Sequence, residues 1–259
     1  MKNHFLRNGR VLLFGHRGYS SLAPENTLAA FRILLEKQIP GAELDVHRCK
    51  SGELVVTHDD NLERVTGFKG RVAETDFSRI RSLDAGGWFS HEFKGKKIPL
   101  FDEVLELLGK NVYFDIELKR RGKAENGLEE EVLSRMRAHN IENLSLLSSF
   151  NPWCIRRVNR LAPEIPTAVI YSASKKLSFF LRHGEALFIT NARFLKPNYK
   201  VVRPWTILVQ GKVFKAEVLP WIVNDPQIAE KLLKAGARGI ISNDPGKILT
   251  LDYYRSPAR

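Results

Sequence analysis

His16-Arg17, Glu43-Leu44-Asp45 and His58 stand at the ends of three short apolar runs in the first quarter of the chain. Side chains on a strand alternate between faces, so in GAELDV the acids Glu43 and Asp45 share one side while Leu44 and Val46 share the other. Two carboxylates on one face repel each other unless a positive charge lies between them. A hard divalent cation takes oxygen ligands, imidazoles titrate near neutrality and a guanidinium binds anions. The set therefore points to metal-assisted acid/base chemistry on a phosphoryl group. A fourth run, VYFDIELK, repeats the pattern, with Tyr113, Asp115, Glu117 and Lys119 on one face and Phe114, Ile116 and Leu118 on the other. Glu117 would give the cation a third carboxylate, and Lys119 would offer a charge to the phosphate. Three carboxylates with few nitrogens suit Mg2+ or Ca2+ better than zinc.

Blander readings stand beside each of these. A histidine after a strand is more often a hydrogen-bonded structural group, and that reading is kept for His47, His91, His139 and His183. Glu43 and Asp45 could line a solvated edge, but their apolar neighbours argue for a buried strand, where unpaired acids are costly. Arg17 divides between phosphate binding and ion pairing with those acids, and one guanidinium can do both. Trp221, inside an apolar run, divides between core packing and a substrate-contacting wall. Asp244 reads as a cap or turn residue.

The elements that must hold these groups alternate along the chain. Apolar runs at 11–14, 42–46, 53–58, 112–118, 143–150, 167–171, 186–190 (ALFIT), 217–223 and 239–242 read as strands. Between them NTLAAFRILLEK, EEEVLSRMRAH, PWCIRRVNRL and PQIAEKLLKAG carry apolar residues at helical spacing. Asn26 and Asn224 or Asp225 are candidate N-caps, and Gly236 a candidate stop. About eight strand–helix units over this length predict a (β/α)8 TIM barrel, with an open doubly wound sheet as the alternative. Barrel enzymes keep their chemistry at the C-terminal ends of strands, where the polar residues cluster here. Residues 59–100 hold no clean unit and read as a small insertion over one barrel end. At 200–216, Pro204 could open a helix that the valines and Gly211 weaken.

The 259 residues, 43% hydrophobic and 27% charged, suit one large domain over 1–259 and exclude disorder or collagen. VLLF is too short for a signal-peptide core, and no stretch is long enough to cross a bilayer, so a cytoplasmic protein is expected. Cys49 and Cys154 then read as reduced thiols. The net charge of +12 is scattered over several elements without an aromatic-interleaved stripe, so no nucleic-acid partner is expected. A positive field would still speed encounter with a phosphate-bearing substrate.

Taken together, the motifs resemble the glycerophosphodiester phosphodiesterase family: HRG at 16–18, PENT at 24–27, ELD at 43–45, HDDNLER at 58–64, ELK at 117–119, SF at 149–150, WIVN at 221–224 and GIIS at 239–242. The ordered set spans about residues 11–249 and is specific although each fragment is weak. The resemblance implies a barrel enzyme that hydrolyses glycerophosphodiesters to sn-glycerol 3-phosphate and an alcohol. It implies that Glu43, Asp45 and Glu117 bind a divalent cation, that His16 and His58 are the acid/base pair, that Arg17 and Lys119 contact phosphate and that Trp221 lies near the glycerol. Departures are Val65, Leu100 and Ile222, each where the family usually has Thr. Spacing does not assign the two histidine roles; His58 is taken as the acid. The nucleophile is left open between water and a substrate hydroxyl. A lysophospholipase D- or phospholipase C-like enzyme on the same barrel is the rival, and transient contact with lipid is the membrane association expected. A non-catalytic anion binder and a sugar-processing barrel are the more distant alternatives.

Overall fold

The computed structural model describes residues 3, 5, 11–173 and 184–255. Nine strands occur among them: β1 (Leu12–Gly15), β2 (Gly41–Arg48), β3 (Leu54–Val56), β4 (Tyr113–Leu118), β5 (Ser145–Ser149), β6 (Thr167–Tyr171), β7 (Phe194–Pro197), β8 (Glu217–Val218) and β9 (Gly239–Ser242). The helices are α1 (Leu28–Glu36), α2 (Glu63–Thr66), α3 (Phe77–Ser82), α4 (Phe101–Leu108), α5 (Leu128–Ala138), α6 (Pro152–Leu161), α7 (Leu187–Thr190), α8 (Pro204–Lys212), α9 (Pro226–Lys234), α10 (Pro245–Leu249) and α11 (Asp252–Arg255). Eight strands pair in parallel in the order β8-β7-β6-β5-β4-β2-β1-β9, and β3 pairs only with β2. Backbone hydrogen bonds from Arg238 to Val218, Ile241 to Pro220 and Val223 to Ile241 then bring β9 to the β8 segment. The result is a nearly closed (β/α)8 TIM barrel, as the alternation of elements predicts.

The two faces of each strand explain its composition. Phe114, Ile116 and Leu118 of β4 join Ala42, Leu44 and Val46 of β2 in the layer beneath the helices. Where the strands begin, the barrel interior is filled by Leu12, Phe14, Leu146, Ala168, Phe194 and Leu219. Phe5 plugs that end, stacked on Phe14 at 6.0 Å and edge-on to Tyr113 at 5.8 Å. Polar interior positions are therefore confined to the other end, where the strands finish.

Three expectations are corrected. ALFIT is not a strand: Leu187–Thr190 forms a helical turn ended by Asn191 at φ 56°, with Phe188 and Ile189 facing solvent. The barrel strand after β6 is instead FLKP, because Arg193 N–H bonds to Thr167 and places the ladder there. ELVVTH is not a barrel strand either. β2 runs past the rim and β3 returns along it antiparallel, with Val46 opposite Val56. The cap of α1 is Thr27, whose hydroxyl accepts from Ala30 N–H, not Asn26. Asp225 caps α9 through Gln227 and Ile228, and Gly236 follows that helix at φ +99°. In the 200–216 stretch the helix forms, opened by Pro204 at its first position.

Within 59–100, Leu62, Val72, Ile80 and Ile98 pack with Cys49 and Val55 in a separate apolar cluster against the β2–β3 hairpin. Leu100, one of the departures from the resembled pattern, caps α4 without a hydroxyl, so only the return half of a capping box forms: Leu100 N–H donates to Glu103 at 2.8 Å. Its side chain packs against the insertion's cluster instead.

Candidate active site

β1 delivers His16 to the barrel rim, where its N–H bonds to Ser242 of β9. Arg17 and Gly18 then turn the chain with φ of 56° and 83°. A Cβ on Gly18 would lie 2.8 Å from the Cβ of Ala30, so both the conformation and the space demand glycine. Gly18→Ala is expected to lower stability by about 1–3 kcal/mol through overpacking at an unfavourable φ, measurable as a lower denaturation midpoint at constant m.

His16 is buried, and its Nδ1 donates to Asn243 Oδ1 at 2.6 Å, which leaves Nε2 facing the site 4.0 Å from Glu43 Oε2. Burial, reinforced by the adjacent Arg17 charge, pushes its pKa well below the usual histidine value. The ring is therefore neutral at pH 7 and able to accept a proton.

His58 reaches the same place by the hairpin, since Thr57 N–H bonds to Asp45 O at 3.0 Å. Its Nδ1 bonds to Asp59 at 2.7 Å, and from there a chain of charges runs through Arg64 (2.5 Å), Glu25 (2.6 Å) and Arg17 (2.8 Å). That chain gives Glu25 of PENT and Arg64 of HDDNLER a physical role, orienting His58 and Arg17, which their spacing does not reveal. His47 donates to the carbonyl of His58 at 3.2 Å and is pushed down to about 4 by burial, in keeping with the structural reading. His139 pairs with Asp102 away from the barrel mouth, and His183 lies outside the described residues.

The register Glu43↔Asp115 and Asp45↔Glu117 sets four acids side by side inside the barrel. One oxygen from each of Glu43, Asp45 and Glu117 lies within 4.8 Å of the others, all three residues being buried. Asp45 accepts from Asn26 at 2.8 Å, from Lys119 at 2.9 Å and lies 3.4 Å from Arg17 Nε. Against burial, Lys119 and then Arg17 hold its pKa well below the ordinary carboxylate range. Glu43 moves the opposite way: burial and then the Asp45 charge raise it well above that range. Arg17 donates its backbone N–H to Glu43 at 3.0 Å and its side chain to Glu25, so its ion-pairing role is realised, and it also lines the cavity. Lys119 lies between Asp45 and Glu117, 2.5 Å from the latter.

A cavity of about 350 Å³ opens between these groups. His16, Arg17, Glu43, His58 and Glu117 form its charged pole; Phe150, Ile170 and Trp221 form its apolar one. Trp221 is packed and also faces the cavity. It stacks edge-on with Phe150 at 5.9 Å, donates Nε1–H to Lys196 O and borders the cavity. Asp244 heads α10 and accepts from Tyr19 and Lys247, apart from the acidic cluster.

Lys196 is the residue that sequence reasoning misses. Buried in β7, it pairs with Asp115 at 2.6 Å, donates to Ser148 at 2.9 Å and reaches the cavity. Burial opposes its charge, but Asp115 and then Glu43 outweigh it and raise its pKa. Lys196→Met strands a buried carboxylate and is expected to cost about 3–5 kcal/mol. Adding Asp115→Leu should restore most of that loss, as read from urea midpoints of both variants.

The donor set fits a divalent cation. Three carboxylates converge, one of them driven toward protonation by burial and then by its neighbour, and hard oxygens dominate the cluster.

The sequence profile of the Glycerophosphoryl diester phosphodiesterase family matches residues 16–247. A relative from Caldanaerobacter subterraneus subsp. tengcongensis, named glycerophosphodiester phosphodiesterase, is 34% identical over 244 residues, covering 93% of this chain and 98% of its own. Among solved structures, an Oleispira antarctica phosphodiesterase in complex with the product sn-glycerol-3-phosphate is 28% identical with a TM-score of 0.78, covering 95% of this chain and 97% of its own. A glycerophosphodiester phosphodiesterase from Agrobacterium tumefaciens is 26% identical with a TM-score of 0.77 over 93% of this chain and all of its own (100%). With 232 consecutive positions from the HRG turn to α10 matched, from 16 to 247, the chain belongs to the glycerophosphodiester phosphodiesterase family.

Proposed function

We propose that the chain hydrolyses glycerophosphodiesters to sn-glycerol 3-phosphate and an alcohol, with Glu43, Asp45 and Glu117 holding Mg2+ or Ca2+. What carries this reading is one cavity bordered by two imidazoles, a carboxylate cluster and an aromatic wall. When bound, the cation supplies Lewis-acid stabilisation of charge on the phosphoryl oxygens. Arg17 and Lys119 bind those oxygens from the protein side, and Trp221 packs against the glycerol carbons. His16 starts neutral with Nε2 open and takes the proton of the nucleophile, water or a substrate hydroxyl. His58 protonates the departing alkoxide, with the Asp59 carboxylate as counter-charge behind its ring.

The chain is taken as a single barrel domain over 1–259 with 59–100 inserted. The buried, unpaired thiols of Cys49 and Cys154 are consistent with cytoplasmic residence. Among the described residues no helix is long and apolar enough to cross a membrane.

A hydrolysis screen with added Mg2+ or Ca2+ across glycerophosphocholine, glycerophosphoethanolamine, glycerophosphoinositol and lysolipids tests the reading. Release of sn-glycerol 3-phosphate from the deacylated diesters is the expected result. Turnover of lysolipids alone would favour the lysophospholipase D-like rival, and turnover of none would overturn the proposal.

A further inference from the structure

α8 is a helix with an unusual outer face. Ile207 is its one buried residue, and Gln210 donates to the Tyr171 hydroxyl, so these two secure it to the barrel wall. On the solvent side Trp205 is 60% exposed, Leu208 46% and Val213 65%. Phe214 just beyond the helix packs edge-on against Phe188 of α7 at 5.3 Å, and Phe188 itself is 69% exposed. A contiguous apolar stripe left to water on this scale marks an interaction surface.

Along α8 and its flanks the charge is of one sign, Glu185 standing before α7. From Tyr199 to Ala216 there is no acid, whereas Lys200, Arg203, Lys212 and Lys215 flank the stripe. Among the described residues none of these four enters an ion pair. A two-fold dimer through this face would press these cations against their own copies, which opposes self-association. An apolar stripe of Trp, Leu and Phe edged by unpaired cations complements an anionic lipid surface. β7 ends at the cavity, so the first turn of α8, with Trp205, lies at the same barrel rim and the helix descends from there.

We propose that the α7–α8 face docks the protein peripherally on anionic membranes, with the cavity mouth at the lipid edge. This deepens the phosphodiesterase reading by naming a partner for the chain.

The test is sedimentation of the full chain with equimolar phosphatidylcholine–phosphatidylglycerol vesicles and with phosphatidylcholine vesicles alone, at low and high salt. Salt-sensitive binding to the anionic vesicles is expected, reduced about tenfold or more by Trp205→Ala with Phe214→Ala. Arg203→Glu with Lys215→Glu should weaken it roughly fivefold per cation removed. Thermal melting checks that each variant remains folded, and the charge-reversal pair serves if the aromatic pair does not. Absence of binding to anionic vesicles, equal binding to both kinds, or binding unchanged in the folded variants overturns the proposal. So does a dimer, seen by light scattering, that the aromatic substitutions dissolve while vesicles are ignored. Glycerophosphocholine turnover without vesicles is measured separately, so loss of the enzymatic reading leaves the vesicle result intact.

Discussion

Replacing His16 or His58 with alanine is expected to lower kcat by roughly 10²- to 10⁴-fold each. The double variant should lose little more than the worse single one, because two groups that move one proton inventory act as a unit. Steady-state release of sn-glycerol 3-phosphate measures both, and thermal melting confirms that the barrel persists. The two rings differ in surroundings, and the difference has a pH signature. His16 is held neutral by burial and by Arg17, so it stays competent as a base well below the ordinary histidine range. The acid limb of kcat/KM, which reports the free enzyme, should therefore fall below about 6.5, and activity should drop only as His16 gains a proton at lower pH. Asn243→Ala removes the acceptor that fixes His16 Nδ1–H and should lower kcat while leaving the cation requirement in place. A double histidine variant turning over within about tenfold of the wild type would remove the paired-imidazole mechanism.

The alternation of acids and aliphatics made Glu43, Asp45 and Glu117 legible, because a period of two survives in any strand that has one polar and one apolar side. The barrel followed from the same source, since helical and strand periods alternate cleanly over most of the chain. Legibility failed where the local signal was ambiguous. ALFIT has strand composition, yet a short apolar run fits a helical turn as well, and the polar barrel mouth put Lys196 into the strand that does form, FLKP. A strand that ends among carboxylates carries a lysine for the same reason that an apolar core would exclude one.

Pairing direction was also beyond the local pattern. His58 follows LVV as a barrel ligand would, but it arrives on an antiparallel return strand whose partner is chosen by tertiary contact. The Glu25–Arg64 pair joins segments 39 residues apart, so its part in holding Arg17 and His58 emerges only in three dimensions. Asn26 looked like a helix cap because its type suits one; its left-handed backbone and its hydrogen bond to Asp45 make it part of the acidic cluster instead.

Chelation is expected to silence the enzyme, and Mg2+ or Ca2+ to restore it. The physical basis is the opposite response of Glu43 and Asp45 to their surroundings. Lys119 and Arg17 suffice to keep Asp45 ionised, but Glu43, buried beside it, is driven toward the protonated form. A dication among the three oxygens would reverse that balance and keep the full set of carboxylates charged. Binding to the folded state alone also stabilises it, by about 2.7 kcal/mol at a hundredfold excess over Kd, so a rise in Tm provides a readout separate from turnover. Glu43→Gln and Asp45→Asn each remove a carboxylate from the proposed cation site and should shrink that rise and raise the cation concentration needed for half-maximal rate. The two should differ in the cation-free protein. Glu43→Gln relieves crowding among buried acids and costs little stability, whereas Asp45→Asn leaves Lys119 and Arg17 short of a counter-charge and destabilises. A rate untouched by exhaustive chelation, with no Tm response to either cation, would leave the acidic cluster as an ion-pair network for Arg17 and Lys119 and nothing more.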